Sequence, residues 1–444
     1  MDNKYITLLQ RMIQTPSISG QEDAVCTLLE QWMRSEGITV HRVGNNLWAE
    51  CGEGPETVLL NAHIDTVKPS ASYTRDPFSG ECDGKTIYGL GANDCGGSVI
   101  AMLATFLDIF RQPTVGKRIV LTLTAEEENS GRHGIEMLLP HIGNIDYAIV
   151  GEPTSLEMAV AERGLMVLDG EAKGKAGHAA REEGVNALYI ALDDIQTLRS
   201  YEFDRVSPFL GKVKMTTTMI QAGTQHNVVP DTCKFVVDIR SNGLYSNEEI
   251  HALLQPMVQS TLTPRSTRLN ATSTPIETAI VQRAKALGIP LYGSPTLSNM
   301  ALLSCPKVKF GPGDSARSHT ANEYIHIHEI KQAQAEKERT LEARRRLLEE
   351  KKQLSKDASD KNEHHLLKKA PKSKNKHNHK SAFKSEIFKY SIFKLPINKP
   401  LFFSTQKPQA LTHGFRVIFW EFIQCKKAIN HRSAISFYLS LHFH

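Results

Sequence analysis

Short apolar runs in the first third of the chain repeatedly end in a histidine or a carboxylate. Each run has the length and composition of a buried β-strand. The runs and the polar residues that follow them are 58–60 with His63 and Asp65, 119–124 with Glu126, Glu127 and Glu128, and 148–150 with Glu152. Polar side chains at the end of a buried strand of an α/β sheet lie in the crevice where such folds place their sites. The pattern therefore predicts an α/β fold with a polar site at one edge of the sheet.

Apolar residues with helical spacing alternate with these strands. Stretches 5–15, 22–33 and 99–110 carry them at intervals of three and four residues, which predicts helices that pack on the sheet. A glycine-rich loop, residues 89–97, comes directly before the third helix and contains Asp94. Its glycines permit close backbone approach and unusual dihedral angles. Alone, Asp94 fits either a cap of this helix or part of a site.

After Glu157 the pattern changes into a second arrangement of strands and helices. Its order, β-α-β-β-α-β, is typical of a ferredoxin-like module. The stretches are 164–173, 185–198, 212–221, 232–240, 247–258 and 266–272. Because strands and polar site residues resume after residue 273, we expect this module to be inserted into the first domain. The expected domains are 1–158 and 273–332 for the two parts of the main domain, 159–272 for the insertion and 333–444 for a C-terminal tail.

Cysteines and apolar runs bear on where the protein works. The seven cysteines are scattered and form no Cys-x-x-Cys pair, which favours reduced thiols. The sequence has no continuous apolar run of 18 residues and no secretory apolar segment near Met1. We therefore expect a cytoplasmic protein without a membrane span.

The polar residues at the strand ends include ligands that a borderline divalent metal prefers. His63 and the much later His319 offer imidazole nitrogens, and the carboxylates offer oxygens. Zinc is bound by this mixture of donors. The sequence thus predicts a metal site at the sheet edge.

Taken together and in order, these motifs resemble those of the M20 family of co-catalytic zinc peptidases and deacylases. Within that family the chain is similar to acetylornithine deacetylases and related N-acyl-amino-acid deacylases. The resemblance covers about residues 1–330 and rests on His63-x-Asp65, Gly91-x-x-Asp94, Glu126-Glu127-Glu128, Gly151-Glu152-Pro153 and His319. It implies a zinc-dependent exopeptidase-like catalytic domain of α/β class, with the ferredoxin-like insertion as a lid and dimerisation domain.

The resemblance also implies a role for each residue and a cofactor of two Zn²⁺ ions, for which Co²⁺ can substitute. His63 and Glu152 hold one ion, Glu128 and His319 hold the other, and Asp94 bridges both. Asp65 orients His63. Glu127 is the general base, on the assumption that the family's acid-Glu-Glu pattern begins at Glu126; a one-position slip would exchange these roles.

Three further residues match family positions in the insertion. His178 corresponds to a lid histidine that stabilises the oxyanion and that often comes from the partner subunit, so a homodimer is implied. Arg240 and Asn227 correspond to positions near the substrate, and the planar fork of an arginine suits a free carboxylate. Without the resemblance, His178 would be taken for an exposed loop histidine, and Arg240 and Asn227 for strand-end residues.

The chain departs from the family pattern in two places. Cys95-Gly96-Gly97 follows Asp94 where many relatives have longer side chains ending in lysine, and Asn299 stands where relatives commonly have aspartate. Neither change removes a metal ligand. Both leave the substrate open.

Charge sets the tail apart. Residues 331–444 carry 25 Lys and Arg against 10 Asp and Glu, a net charge of +15, whereas residues 1–330 carry 28 against 38, a net charge of −10. We expect a helix-prone charged segment at 329–354 and disorder at 362–384. A basic tail can bind nucleic acid, but an unfolded extension or an out-of-frame translation is favoured, because the family resemblance stops near residue 332.

The predicted function is hydrolysis of the amide bond of an N-acyl amino acid, with N-acetylornithine as the first candidate substrate. The alternatives within this fold are a di- or tripeptidase and a succinyl-diaminopimelate desuccinylase. Alternatives from other classes are a non-catalytic binding protein on the same scaffold and a nucleic-acid-binding protein. All predicted metal ligands and Glu127 are present, which favours the enzyme.

Overall fold

A computed structural model describes residues 3–111 and 116–334. The helices are α1 (Asn3–Ile13), α2 (Asp23–Ser35), α3 (Gly97–Phe110), α4 (Ile135–Ile142), α5 (Ala187–Ser200), α6 (Asn247–Leu254), α7 (Ala279–Ala286) and α8 (Ile327–Gln334). The strands of the first part are β1 (His41–Val43), β2 (Asn46–Cys51), β3 (Thr57–His63), β4 (Thr86–Tyr88), β5 (Arg118–Thr124), β6 (Tyr147–Gly151) and β7 (Met158–Glu162). Those of the later parts are β8 (Met166–Lys173), β9 (Gly177–His178), β10 (Lys214–Ala222), β11 (Val228–Val229), β12 (Thr232–Arg240), β13 (Thr261–Pro264), β14 (Thr272–Ser273), β15 (Leu291–Ser294), β16 (Lys307–Lys309) and β17 (Tyr324–His326).

Nine of the described strands form the sheet of the main domain. Its order is β1-β2-β5-β3-β6-β16-β7-β14, with β15 paired to β7. The central strands β5, β3 and β6 are parallel, and in their register His63 pairs with Thr124, and Ala62 with Gly151. The carboxyl ends of three strands therefore meet at one edge. This register brings His63, the glutamates after Thr124 and Glu152 together, as the apolar runs predicted.

Helix α3 is the central helix of the core. Nearly every residue from Gly97 to Ile109 is buried, and the side chains pack in the same apolar cluster as strands β3 and β5. The stretch Ala92–Phe110 is long and apolar enough to cross a membrane, but 83% of it is buried inside the folded protein. Burial on all sides is typical of a core helix.

Four described strands form the lid sheet, in the order β10-β12-β8-β13. With α5 and α6 they follow the predicted β-α-β-β-α-β order, and their inward side chains make a separate apolar cluster. The lid thus has an apolar core of its own and is inserted into the main domain, as expected.

The prediction of the last lid strand at 266–272 was wrong. The fourth lid strand is β13 (Thr261–Pro264), which pairs with β8, whereas Thr272–Ser273 pairs with β7 in the main sheet. The residues between them bond to Leu165 and Asn247 through backbone oxygens and to the main domain through the Arg268 side chain, and strand-like alternation does not reveal such partners. The boundaries at 159 and 272 also fall inside β7 and β14, so the lid sheet begins at Met166 and ends at Pro264.

The predicted tail, 333–444, lies outside the described residues except for the end of α8. Within the described part, α8 packs on α3 through buried Ile330 and Ala333.

Candidate metal centre

His63 ends β3 with its ring almost fully buried, at 2% exposure. Its Nδ1 lies 3.0 Å from the main-chain oxygen of Asp65, and its Nε2 lies 3.1 Å from Oδ1 of Asp94. The Asp65 carboxylate is 3.4 Å from Nδ1. A partner on Nδ1 fixes the ring and leaves Nε2 as the metal-binding nitrogen.

The Asp65 carboxylate also orders the loop that carries the glutamates. Oδ1 accepts a hydrogen bond from the Glu127 amide at 3.1 Å, and Oδ2 accepts one from the Glu128 amide at 3.0 Å. The hydroxyl of Ser19 donates to the same carboxylate. Asp65 therefore positions two predicted functional residues through their backbone, in addition to the predicted role beside His63.

The Asp94 loop is held by Glu323, a residue 230 positions after Asn93 in the sequence. The buried carboxylate of Glu323 accepts hydrogen bonds from the amides of Asn93 at 2.8 Å, Asp94 at 2.9 Å and Gly91 at 3.2 Å. Gly91 has φ +77°, and a Cβ there would lie 2.6 Å from a methyl of Thr66, so a side chain is excluded. The loop geometry thus depends on both the glycine and Glu323.

The five predicted metal ligands lie in two groups that share Asp94. The ligand atoms of His63, Asp94 and Glu152 lie within 4.8 Å of one another, and so do those of Asp94, Glu128 and His319. Nε2 of His319 lies 2.8 Å from Glu128 and 3.8 Å from Asp94. The first group is buried, whereas the His319 side chain is 56% exposed. One carboxylate between two such groups is the arrangement expected for a pair of metal ions.

A divalent metal fits these donors because one of them has no other partner. Oε1 of Glu152 is buried and has no hydrogen-bond partner among the described residues, and it lies 4.0 Å from Nε2 of His63. A buried carboxylate oxygen is costly unless it is paired or coordinates a cation. Burial first, and then the charge of Asp94, raise the pKa of Glu152 to about 8. A cation at this point would remove that penalty.

Glu127 belongs to the same electrostatic environment. Burial raises its pKa well above the ordinary value, and the neighbouring Glu152 and Glu128 charges act in the same direction, while His63 opposes them. Glu126 differs, because its carboxylate accepts hydrogen bonds from the amide and the ring of His133. This supports Glu127, rather than Glu126, as the free carboxylate of the triple.

The three predicted lid residues have hydrogen-bond partners within the lid. Nδ1 of His178 accepts from the Ala180 amide, and the main-chain oxygen of the exposed Asn227 accepts from Ala179. The Arg240 guanidinium donates to both oxygens of Asp238, at 2.8 and 3.0 Å. All these partners are lid residues, so the proximity of these three side chains to a substrate stays a prediction.

Sequence analysis missed the part played by Glu323 and Ser19. Both lie in stretches rich in short polar residues, and both act through hydrogen bonds across 46 or more positions of sequence. A hint was available: Glu323 directly precedes the short strand β17 and follows His319 closely. The structure also explains Asn299, which stands where relatives commonly have aspartate. Its side-chain amide donates to Asn61 and Thr124, in a buried network of uncharged side chains.

Replacing Glu323 by glutamine should weaken the Asp94 loop. The amide group would set an N–H against the Gly91 amide, and an unsatisfied buried donor costs about 1–3 kcal/mol. We expect the free energy of unfolding to fall by this amount in urea denaturation, with weaker metal binding. The experiment is done at pH 7, where one neutral side chain replaces another, because burial and the Asp94 charge raise the pKa of Glu323 to about 8. Glu81→Gln, on an exposed pair with Arg75, is the control, and equal stability of both variants would refute the assignment.

The stability of protein stripped of metal should fall as the pH rises from about 4.5 to 8. The folded-state pKa of Glu152, about 8, lies above its ordinary value of 4.5, so the folded protein binds more protons in that window. His319 acts in the same direction, since its hydrogen bond with Glu128 raises its pKa from 6.5 to about 9. Zinc needs both groups deprotonated. Thermal unfolding with and without zinc should show a larger zinc effect at pH 8.5 than at pH 6, and equal effects would contradict this.

Comparison with known proteins agrees with this site. A sequence model described as peptidase family M20/M25/M40 matches residues 59–343. Succinyl-diaminopimelate desuccinylase of Paracoccus denitrificans is 30% identical over 267 residues, covering 56% of this chain and 70% of that protein. A proposed LysW-lysine/LysW-ornithine hydrolase of Pyrobaculum aerophilum is 29% identical over 331 residues, covering 72% and 91%.

Solved structures share the fold. A tripeptidase of Staphylococcus aureus superposes with a TM-score of 0.59 at 20% identity, over 74% of this chain and 94% of that one. A metallo-carboxypeptidase of Sulfolobus solfataricus gives 0.58 at 17% identity, over 74% and 96%. The family match covers more than half of the sequence and includes all five predicted metal ligands. This chain belongs to peptidase family M20/M25/M40 and is a metal-dependent hydrolase of amide bonds.

Proposed function

We propose that the protein removes the acyl group from an N-acyl amino acid with the help of two zinc ions. The observation that carries the proposal is the sharing of Asp94 between the ligand groups of His63 and His319, next to Glu127. His63, Asp94 and Glu152 would hold one ion, and Asp94, Glu128 and His319 the other. When bound, a pair of such ions acidifies water and polarises the scissile carbonyl.

The protein residues account for the proton transfers. The Glu127 carboxylate takes a proton from the attacking water as the water oxygen bonds to the acyl carbon. Glu127 then gives that proton to the amide nitrogen as the C–N bond breaks, leaving a carboxylic acid and a free amine. The hydrogen bond from the Glu127 amide to Asp65 holds the base in place. Burial of the surrounding carboxylates excludes bulk water and strengthens these interactions.

The related proteins suggest the substrate class. The desuccinylase is named for succinyl-diaminopimelate, and the other hydrolase for lysine and ornithine conjugates. These names have a diamino acid in common. We therefore propose an N-acylated diamino acid, with N-acetylornithine, N-succinylornithine and N-succinyl-diaminopimelate as the compounds to test.

Amine release from these three compounds, from N-acetylcitrulline and from a few dipeptides tests the proposal. Each reaction is run with zinc or cobalt and again with a chelator. Chelator-sensitive release from one acyl amino acid is the expected result. Release from dipeptides alone would favour a peptidase, and no release by folded, metal-loaded protein would refute the proposed class.

We also propose that the protein forms a homodimer through the lid. Strand β10 is an edge strand of the described lid sheet, and Met219 on it is 65% exposed. Tyr189 on α5 is equally exposed, and Leu192, one helical turn away, is 47% exposed. An open strand edge and exposed apolar side chains on neighbouring elements favour association. A dimer would let His178 act on the partner's substrate.

Placing a charged side chain on this exposed apolar surface should separate the subunits. Met219→Arg places a charge where a second apolar surface would pack, so the variant should sediment as a monomer while the unaltered chain sediments as a dimer. Val206→Arg, at an exposed apolar position outside α5 and β10, is the matched control. A monomeric unaltered chain in analytical ultracentrifugation would refute the proposal.

A further inference from the structure

Arg268 connects the lid to the main domain through its side chain. It lies between β13 and β14, in the segment that leads from the lid back to the main sheet. Nη1 donates to Oε2 of Glu136 on α4 at 2.7 Å, and Nη2 donates to the main-chain oxygen of Ser130. The Arg268 and Glu136 side chains are 22% and 31% exposed, so the pair is shielded from solvent in part. Both acceptors belong to the main domain.

The segment around Arg268 is fixed to the rest of the lid. The Leu165 amide, in the first connection between the domains, donates to the Leu269 oxygen at 2.9 Å. Asn247, fully buried at the start of α6, donates to the oxygens of Leu269 and Thr267 at 3.0 and 3.2 Å. The two connections and α6 therefore form one unit, and Arg268 projects from it.

At the other end, Ser130 belongs to the loop that carries Glu127 and Glu128. The Ser130 amide donates to the Glu127 oxygen at 2.8 Å, and the Gly131 amide donates to the Glu126 oxygen at 2.8 Å. Ser130 has φ 53°, in the left-handed region that non-glycine residues rarely adopt. Such a conformation persists when its surroundings hold it. The path from the Arg268 guanidinium to the Glu127 backbone is two hydrogen bonds long.

We propose that Arg268 is a positioning residue that makes the placement of Glu127 depend on the orientation of the lid. The planar guanidinium holds the Ser130 carbonyl and the Glu136 carboxylate in fixed directions. A rotation of the lid about its two connections moves this group and, through Ser130, the loop. Asp65 holds the same loop independently, by accepting hydrogen bonds from the amides of Glu127 and Glu128. The effect on catalysis rests on the proposed role of Glu127.

The matched control is Arg265, three residues earlier in the same segment. Its guanidinium also donates to two carboxylate oxygens, those of Asp169 at 2.8 and 2.9 Å, but Asp169 is a lid residue. Arg268→Met and Arg265→Met remove the same charge and leave side chains of the same size. Only the first breaks a contact between the domains.

Hydrogen–deuterium exchange and steady-state kinetics of the metal-loaded full chain test the proposal together. In Arg268→Met, the amides of Ser130 and Gly131 should exchange roughly tenfold faster or more, because local opening becomes easier. The same variant should lose roughly tenfold or more in kcat at unchanged KM and metal content, since the base is misplaced. Arg265→Met should change neither quantity by more than about twofold. Arg268→Lys, which keeps the charge but not the fork, should be intermediate.

The outcomes separate this proposal from the proposed function. Unchanged exchange of Ser130 and Gly131 in Arg268→Met, or equal changes in Arg265→Met, would overturn it. A fall in metal content that explains the lost activity would also overturn it. If the unaltered protein hydrolyses no acyl amino acid, the proposed function fails, and the exchange data still decide whether Arg268 positions the loop. Should Arg268→Met not fold, Arg268→Lys and Glu136→Gln supply the same comparison.

Discussion

Replacing Glu127 by glutamine should abolish amide hydrolysis while leaving metal binding intact. General base catalysis contributes about 10²–10⁴-fold to rate, and glutamine keeps the shape of the side chain but cannot accept the proton. Glu127 is absent from both groups of ligand atoms, so the metal content should not change. The measurement is kcat for the best substrate, with metal content determined on the same sample.

The neighbouring Glu126 is the control for this prediction. Its carboxylate accepts hydrogen bonds from the backbone amide and the ring of His133. Glu126→Gln should therefore affect the stability of the loop far more than the chemical step. A variant pair in which Glu126→Gln is inactive and Glu127→Gln is active would mean that the functional register of the three glutamates is shifted by one.

Replacing Asp94 by asparagine should cost both metals and the activity together. Asp94 belongs to both ligand groups, and a neutral amide cannot offset the charge of two divalent ions. Loss of an outer-shell partner lowers metal affinity or activity by 10–100-fold, so loss of the shared ligand should exceed roughly 100-fold. The metal content after dialysis should fall to well below that of the unaltered protein.

Asn93→Asp serves as a control at the adjacent position, since the Asn93 side chain bonds to Asp314 rather than to a predicted ligand. Full metal content in Asp94→Asn would contradict the bridging role. Loss of metal in the Asn93 variant alone would mean that metal binding depends on the structure of this loop rather than on the Asp94 carboxylate.

Much of the site could be predicted because the apolar runs that end at His63, Thr124 and Val150 are short, buried and parallel. Their carboxyl ends must meet at one edge, so the polar residues that follow meet as well. The resemblance to the family motifs then indicated which of these residues bind the metals. What the sequence could not show is the set of contacts that depend on register and on distant loops, such as the hold of Asp65 on two amides or of Glu323 on three.

The error at 266–272 has the same origin. Leu269 and the polar residues around it alternate like a strand, but their backbone groups bond to Leu165 and Asn247, and the Arg268 side chain reaches the main domain. Local alternation carries no information about such partners. The lid residues His178, Asn227 and Arg240 stay predictions for a related reason, because their roles depend on a substrate and a second subunit.

Anomalous diffraction from crystals of the zinc-loaded protein tests the central claim most directly. Two zinc peaks should appear, one on either side of the Asp94 carboxylate, with His63 and Glu152 at the first and Glu128 and His319 at the second. A single peak, or peaks at which Asp94 is not shared, would contradict the two-metal centre and with it the proposed hydrolysis.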